Sequence, residues 1–177
     1  NLPIKNQPKG IADMGCGDGS FLLHLFNLIK HRTLRGKMLK KHPITLIGAD
    51  YNQAALNQTK ITFSNSKIKP ITLIADISKP NKFANDLKKN YSANISDFLN
   101  VRSFLDHNRT YRQFNEMNDL SFKNKTSNSF VWRGKYLNKN DIQNNLVYHF
   151  KSWKKYISRY GLLVLELHCI DLNEIYR

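Results

Sequence analysis

The feature that most constrains the fold is a run of three glycines at alternate positions, Gly15, Gly17 and Gly19, directly after the short apolar stretch 10–14. Glycine tolerates positive φ and lets a ligand approach the backbone closely. Apolar residues at helical spacing follow from residue 21 to 29. The pattern therefore predicts a buried strand, a tight loop and a helix whose N-terminus faces the loop.

The rest of the chain repeats the alternation of strand and helix. Four further strands are predicted at residues 44–49, 71–75, 95–104 and 162–167. Helices are predicted after Asn52, from Pro80, and over 142–160 with Gly161 as the stop, while 33–43 is predicted to be a basic loop. This order favours an α/β fold, a doubly wound and mainly parallel sheet that binds its ligand at the carboxyl ends of the strands.

Two of the predicted strands end in an acid, Asp50 and Asp76. One such acid alone is usually a helix cap or a turn residue. Together with the glycine loop and Asp13, however, they form a set around one edge of the sheet.

The charge balance is strongly basic, with 28 Lys and Arg against 13 Asp and Glu and a formal net charge of +15. This excess raises affinity for polyanions such as nucleic acid. The basic residues are scattered, no arginine-rich run is present, and Asn is enriched throughout, which points to biased codon composition. A solvated basic surface and a polyanion-binding face both stay open, with nucleic acid the less favoured partner.

Several classes of protein are disfavoured. The apolar runs are far shorter than the roughly 20 residues of a membrane-spanning helix, so no membrane partner is expected, and no signal-peptide core is visible. Cys16 and Cys169 form no CxxC pair, which argues against a zinc ribbon. We expect free thiols in a reducing, cytoplasmic setting.

The string Asp13-Met14-Gly15-Cys16-Gly17-Asp18-Gly19 has the spacing G-x-G-x-G instead of the dinucleotide pattern G-x-G-x-x-G. With the later pairs Asp50-Tyr51 and Asp76-Ile77, it resembles the glycine-rich motif of class I S-adenosylmethionine-dependent methyltransferases, which have a Rossmann-like sheet. The resemblance covers residues 10 to about 168. It implies a binding site for S-adenosyl-L-methionine formed by Asp13, Gly15, Cys16, Gly17, Gly19, Asp50, Tyr51, Asp76 and Ile77.

The resemblance also implies roles for these residues. The glycines would line the methionine and ribose part of the cofactor, with Asp13 near its amino group. Asp50 would accept hydrogen bonds from both ribose hydroxyls, because a carboxylate offers two acceptor oxygens to a vicinal diol. Tyr51 would lie against the adenine, or alternatively in the core, and Asp76 would accept from the adenine amino group beside the Ile77 backbone.

A narrower resemblance lies in residues 101–109, Val-Arg-Ser-Phe-Leu-Asp-His-Asn-Arg. The string is similar to methyltransferase domains of polyketide synthases, in particular those of apratoxin-type loading modules, which implies a small-molecule or carrier-protein-bound acyl substrate. The Asp/Asn-Pro-Pro-aromatic motif of amino-methylating DNA enzymes and the Pro-Cys pair of RNA cytosine-5 enzymes are absent from this position. Cys169 is therefore expected to be a buried thiol and not a nucleophile.

Four residues are candidates for proton chemistry: Asp106, His107, Glu166 and His168. One hypothesis is that a histidine acts as general base while a carboxylate orients its ring. A second is a divalent metal held by histidine and carboxylate ligands, which would acidify the substrate. The alternatives are that Asp106 caps a helix or pairs with Arg109, and that Glu166 and His168 are ordinary residues at the end of a strand.

We expect one domain over residues 1–177, with a lid-like insertion at about 105–141. The aromatic and basic patch 130–134 in this insertion fits a substrate lid or a small packed hairpin. The methyltransferases that the chain resembles have two more strands after the fifth, so we expect a fragment, truncated after that strand, or part of a larger multidomain chain.

The leading hypothesis for function is methyl transfer from S-adenosyl-L-methionine in polyketide-type specialised metabolism. One alternative is an RNA or protein methyltransferase, which the positive charge favours. Another is a non-catalytic cofactor-binding or structural domain of a megasynthase.

Overall fold

The computed structural model describes residues 2–106, 109–111 and 130–166. The strands of the main sheet are β1 (Gly10–Met14), β2 (Thr45–Asp50), β3 (Ile71–Ile74), β4 (Phe98–Ser103) and β7 (Leu162–Leu165), and a separate hairpin pairs β5 (Phe130–Trp132) with β6 (Lys135–Leu137). The helices are α1 (Ser20–Arg32), α2 (Leu34–Lys37), α3 (Gln53–Thr62), α4 (Pro80–Tyr91) and α5 (Lys139–Ile157). Short 3-10 turns lie at Ile4–Asn6 and Ile95–Asp97.

The main sheet has the order β3-β2-β1-β4-β7, and each of its four strand pairs is parallel. The chain moves outward from β1 to β3, then returns to the other side of β1 to form β4. The carboxyl ends of β1 and β4 therefore flank the topological switch point, where open α/β sheets bind ligands. This confirms the predicted α/β Rossmann-like arrangement.

Alternating side chains of the strands supply two cores, one on each face of the sheet. Ile11 and Val101 pack with Leu22 and Phe26 of α1 on one face. Ala12 and Met14 belong to the other core, as do the buried side chains Phe83, Leu87 and Trp153 of α4 and α5. Helices thus cover both faces, as the nearly continuous apolar strands predict.

Local hydrogen bonds adjust several predicted boundaries. The strand predicted at 95–104 begins only at Phe98, because the Asn94 side chain accepts from the Ser96 amide and closes a 3-10 turn first. In the predicted loop 33–43, Thr33 caps the single turn of α2 by accepting from the Gly36 amide. The predicted cap is confirmed at Asn52, which accepts from the Ala54 amide. The helix predicted to stop at Gly161 ends earlier, at Ile157 with Ser158 as its C-cap, and Gly161, whose φ is +87°, closes the following turn by donating its amide to the Ile157 carbonyl.

Helix α5 begins with a reciprocal capping box, in which the Asn138 side chain accepts from the Asp141 amide and the Asp141 side chain accepts from the Asn138 amide. The residues just before it, 130–137, form the β5–β6 hairpin, one of the two structures expected for this patch. Trp132 of the hairpin contacts the Tyr111 ring edge-on, with centroids 5.4 Å apart. The remaining part of the predicted insertion, residues 112–129, lies outside the described residues.

Candidate active site

The glycine loop leaves β1 and is tied to the neighbouring strand by backbone hydrogen bonds. The amides of Gly15 and Cys16 both donate to the Ala49 carbonyl, at 2.7 and 3.1 Å. All three glycines have positive φ, between 55° and 77°. A side chain at Gly15 would overlap Leu105 at 2.8 Å, and one at Gly19 would overlap Thr59 at 2.7 Å. These two glycines are therefore required by packing.

Gly17 differs from the other two glycines because a Cβ added there would meet no atom within 4 Å. Its amide donates to Asp50 Oδ2 at 3.0 Å, and its carbonyl accepts from the Thr59 hydroxyl at 2.8 Å. The loop is thus held against the end of β2 while its middle glycine faces open space. A ligand can approach the backbone at this point.

Asp13 is the most unusual carboxylate of the site. It is almost completely buried in β1, and its Oδ1 atom has no hydrogen-bond partner among the described residues. Burial, with a smaller contribution from the charge of Asp50, raises the pKa of Asp13 to about 7. A buried acid without a partner is costly, so this position favours a cationic or hydrogen-bond-donating ligand.

Asp50 lies at the end of β2 and is half-buried. One oxygen accepts from the Gly17 amide and the other from the Asn52 amide at 2.8 Å. A carboxylate oxygen has more than one lone pair, so each can accept a further hydrogen bond. The side chain is therefore fixed in place and retains acceptor capacity for a diol.

Tyr51 is 78% exposed. The alternative that it is a core aromatic is therefore wrong. It borders a small cavity of about 180 Å³, shared with Ile74, Asp76 and Phe83. An exposed ring beside an acid and an apolar wall suits a planar group that has an amino substituent.

Asp76 and Ile77 follow β3 and make contacts of their own. Asp76 Oδ1 accepts from the amide and the hydroxyl of Ser78, and Lys79 lies 3.3 Å from Oδ2. Burial on its own would raise the pKa of Asp76, but these hydrogen bonds outweigh it and the net pKa is lowered. The Ile77 carbonyl accepts from Trp153 Nε1 at 2.8 Å, which anchors α5 to this loop.

Cys16 is a buried free thiol whose sulfur lies 3.5 Å from the Thr59 hydroxyl. Burial raises the pKa of Cys16 to about 11, so the group is a thiol near neutral pH and its position in the loop is structural. The other predicted thiol, Cys169, lies outside the described residues.

A buried charged cluster lies at the end of β4, and sequence reasoning did not assemble it. It consists of Arg102, Asp106, Arg109 and His149. Arg102 Nη1 donates to Asp106 Oδ1 at 3.1 Å, and Arg109 Nε lies 3.9 Å from the same oxygen. The Arg102 side chain is fully buried, with its guanidinium 4.5 Å above the Trp153 ring. The predicted pairing of Asp106 with Arg109 is thus accompanied by two closer partners, Arg102 and His149.

The protonation of His149 follows from its neighbours. Its Nε2 atom lies 2.8 Å from Arg102 Nη1 and 3.1 Å from Asp106 Oδ1. Because a guanidinium can only donate and an ionised carboxylate can only accept, Nε2 cannot satisfy both. Burial lowers the pKa of His149, which favours the neutral ring.

Asp106 is held from a second side by Glu166. Glu166 Oε1 accepts from the backbone amides of Leu105 and Asp106, at 3.1 and 2.7 Å. Burial alone would raise the pKa of Asp106, but the hydrogen bond with His149 and the charge of Arg102 outweigh it, so the net pKa is lowered. Asp106 and Glu166, two of the predicted catalytic residues, are therefore adjacent, whereas His107 and His168 lie outside the described residues.

Two signals in the sequence could have revealed this cluster. Arg102 stands in a strand that is buried on both faces, where a charge requires a partner. His149 precedes Trp153 by four residues, so both lie on the same side of α5. The partner itself could not be read from the sequence, because 47 positions separate His149 from Arg102.

A groove of about 860 Å³ leads outward from the cluster between the start of α4 and the face of α5. Arg109 and His149 line its inner end. None of the described residues that line the groove is acidic. Its basic residues, besides His149, are Lys79, Lys82, Arg109, Lys151, Lys154 and Lys155.

A family model described as the AprA MT2-like domain, a methyltransferase family, matches residues 1–177. The chain belongs to this family. The match spans the glycine loop, the acids that follow β2 and β3, and the charged cluster after β4. The resemblance to methyltransferases that the sequence motifs indicated is thus confirmed. The chain is a methyltransferase-like domain of the AprA MT2 type. No curated protein matches the chain closely enough to be reported as a relative.

Within residues 2–106, 109–111 and 130–166, no group of three or more His, Cys, Asp or Glu side chains is arranged to hold a metal ion. The predicted metal ligands His107 and His168 lie outside these ranges, so that hypothesis stays a prediction. Over the same ranges, none of the helices has the length and apolar character needed to cross a membrane.

Proposed function

We propose that this domain transfers a methyl group from S-adenosyl-L-methionine to a small-molecule or carrier-bound acyl substrate. The observation that carries the proposal is the hydrogen bond from the Gly17 amide to the Asp50 carboxylate, 3.0 Å long, at the carboxyl end of β2. It joins the two parts of the sequence motif at the carboxyl edge of the sheet, next to the switch point that β1 borders.

The residues at this edge fit the cofactor in two independent respects. Gly17 faces space that no described atom fills, which suits close approach of a ligand to the loop. Asp13 keeps a buried oxygen without a hydrogen-bond partner among the described residues, which suits an ammonium group. The unpartnered oxygen of Asp13 is a cost to the protein alone that a bound ligand would offset.

When bound, S-adenosyl-L-methionine supplies a methyl group on a positively charged sulfur, ready for attack by a nucleophile. In our proposal, Asp13 pairs with the amino group of the methionine moiety and Asp50 accepts from the ribose hydroxyls. The adenine would lie at the small cavity that Tyr51, Ile74 and Asp76 line, with the Ile77 backbone next to Asp76. Catalysis by these residues is mainly positioning, because transfer needs the methyl and its acceptor in line.

On the acceptor side, we propose that Asp106 and Glu166 fix the geometry of the β4 end. Asp106 is held by Arg102, and Glu166 binds the backbone amides before it. His107 or His168 would remove the substrate proton, as the sequence predicts. His149 is a poor candidate for this role, because its Nε2 atom is already engaged by Arg102 and Asp106.

The test is calorimetric titration with S-adenosyl-L-methionine and with S-adenosylhomocysteine. We expect saturable binding that Asp50→Ala weakens by about tenfold or more, since a hydrogen bond to a charged group is worth about 1.5–3 kcal/mol. Tyr51→Ala should also weaken binding, and because this side chain is 78% exposed the variant should fold normally.

The matched control is Asp97→Ala, which removes a carboxylate paired with Lys9 and Arg159 at the opposite edge of the sheet. It should bind both ligands as the unmodified chain does. Absence of binding by a folded chain, or equal weakening in Asp50→Ala and Asp97→Ala, would contradict the proposal. Binding without turnover on any acyl acceptor would favour the non-catalytic domain instead.

A further inference from the structure

The groove between α4 and α5 is lined by basic side chains and, among the described residues, by no acidic one. The Lys79 and Lys82 ammonium groups on the α4 side are each paired, with Asp76 and Asp86. The three exposed lysines on the α5 side are Lys151, Lys154 and Lys155. These three are spaced within one helical turn of each other, so their charges project over the same groove.

The inner end of the groove has an excess of cationic donors. The side chains of Arg102 and Arg109 are at least 89% buried and share one carboxylate side chain, Asp106. Among the described residues, three donor atoms of the two arginines have no hydrogen-bond partner, namely Arg102 Nε, Arg102 Nη2 and Arg109 Nε, against one acceptor of Asp106, its Oδ2 atom. Glu166 contributes a second negative charge nearby, but its Oε1 atom is directed to backbone amides. The inner end can therefore accept a further anionic oxygen near Arg109.

We propose that this groove binds a phosphate ester, so that the methyl acceptor is a phosphorylated molecule. The inference rests on the proposed function, because it names the acceptor of that reaction. A phosphate group offers three strong acceptor oxygens and close to two negative charges, which matches several ammonium groups around one guanidinium. A concave groove of about 860 Å³ suits a compact ligand better than an extended polymer.

The experiment is titration of the chain with inorganic pyrophosphate at fixed ionic strength. The groove variant replaces Lys151, Lys154 and Lys155 by Gln, and a second variant is Arg109→Gln. The matched control replaces Lys37, Lys60 and Lys88 by Gln, which are exposed and do not line the groove. The control removes the same net charge.

We expect the groove variant and Arg109→Gln each to weaken pyrophosphate binding by about tenfold, and the control by less than about twofold. Equal weakening in groove and control variants would mean general charge attraction and would overturn the proposal. So would absence of pyrophosphate binding. If a single-stranded RNA of about 12 nucleotides binds through the groove while pyrophosphate does not, the groove belongs to nucleic acid and the proposal is likewise overturned.

Titration with S-adenosylhomocysteine separates this inference from the proposed function. The groove variants leave Asp13, Gly17 and Asp50 intact, so their affinity for S-adenosylhomocysteine should match that of the unmodified chain. If the unmodified chain binds pyrophosphate but not S-adenosylhomocysteine, the cofactor assignment fails while the groove assignment stands.

Discussion

Two ionisable side chains of this domain are buried, although water would stabilise their charged forms better than the protein interior does. Asp13 is buried in β1 beneath the glycine loop, and Arg102 is buried between β4 and the Trp153 ring. Each side chain keeps at least one polar atom without a hydrogen-bond partner among the described residues. Such residues lower stability unless a ligand or a neighbouring charge compensates them.

The first prediction concerns Asp13 and pH. Because its folded pKa of about 7 lies above the unfolded value, the folded chain binds more protons than the unfolded chain between about pH 4 and 7. The free energy of unfolding therefore falls as pH rises through that window. Between pH 5 and 7.5, the free energy of unfolding of the unmodified chain should fall by about 2 kcal/mol more than that of Asp13→Asn, which lacks the titrating group.

Urea denaturation of both proteins at the two pH values measures this difference. If the stability gap between them is the same at pH 5 and pH 7.5, the shifted pKa of Asp13 is contradicted. Asp97→Asn is a useful comparison, because it changes a carboxylate at the opposite edge of the sheet.

The second prediction concerns Arg102. Arg102→Met leaves the Asp106 carboxylate without its closest guanidinium and should destabilise the domain by about 3 kcal/mol. The double variant with Asp106→Leu should cost less than the sum of the two single changes, since the charges of Arg102 and Asp106 are then removed together. Arg159→Met, which removes an exposed arginine paired with Asp97, should change stability by at most about 1 kcal/mol.

Unfolding free energies of the four proteins of this double-mutant cycle provide the test. Additive effects of Arg102→Met and Asp106→Leu would show that the two charges do not stabilise one another.

At the scale of elements, the connection from β1 to α1 shows why its glycines are not equivalent. Gly17 and Gly19 both have positive φ, but only at Gly19 would an added side chain overlap a neighbouring helix, through Thr59 of α3. Gly15 approaches Leu105, which follows β4. The loop is thus packed on both flanks and open in the middle.

The third prediction follows from this difference. Gly17→Ala introduces only the backbone strain of a positive φ and should cost about 1 kcal/mol. Gly19→Ala adds an overlap with the buried Thr59 side chain and should cost about 1–3 kcal/mol more. Thermal and urea denaturation of the two variants measure these costs, and equal destabilisation would contradict the packing at Gly19.

At the scale of the whole molecule, the net charge of +15 opposes compaction because like charges repel. Among the described residues, only a few ion pairs on the surface reduce this repulsion, for example Lys9 with Asp97 and Lys82 with Asp86. Pairs of this exposed kind contribute little stability. Repulsion among the remaining lysines should therefore dominate the response to salt.

The fourth prediction is that the melting temperature rises when sodium chloride is increased from about 0.05 to 0.3 M, because the Debye length shortens below the spacing of the surface charges. Scanning calorimetry at constant pH measures the shift, with sucrose of matched osmolarity as an uncharged control. A fall in melting temperature would mean that attractive surface pairs outweigh the repulsion.

The sequence by itself determined the order of strands and helices, the glycine loop and the acids at the strand ends, because these features depend on local spacing and on the apolar content of each segment. It also determined the family, because the glycine loop and the acids that follow β2 and β3 occur in a fixed order along the chain. The helix cap at Asn52 and the turn closed by Gly161 were predictable for the same reason: each involves residues only a few positions apart.

Only the tertiary structure decided which distant residues meet. The exposed position of Tyr51, the grouping of Arg102, Asp106, Arg109 and His149, and the basic groove all depend on how α4 and α5 pack against the sheet. Asp106 illustrates the difference: its sequence neighbour is His107, but the histidine it contacts in the described structure is His149, 43 positions away. Burial then shifts the pKa of each group, and burial is a property of the packed molecule that local sequence does not contain.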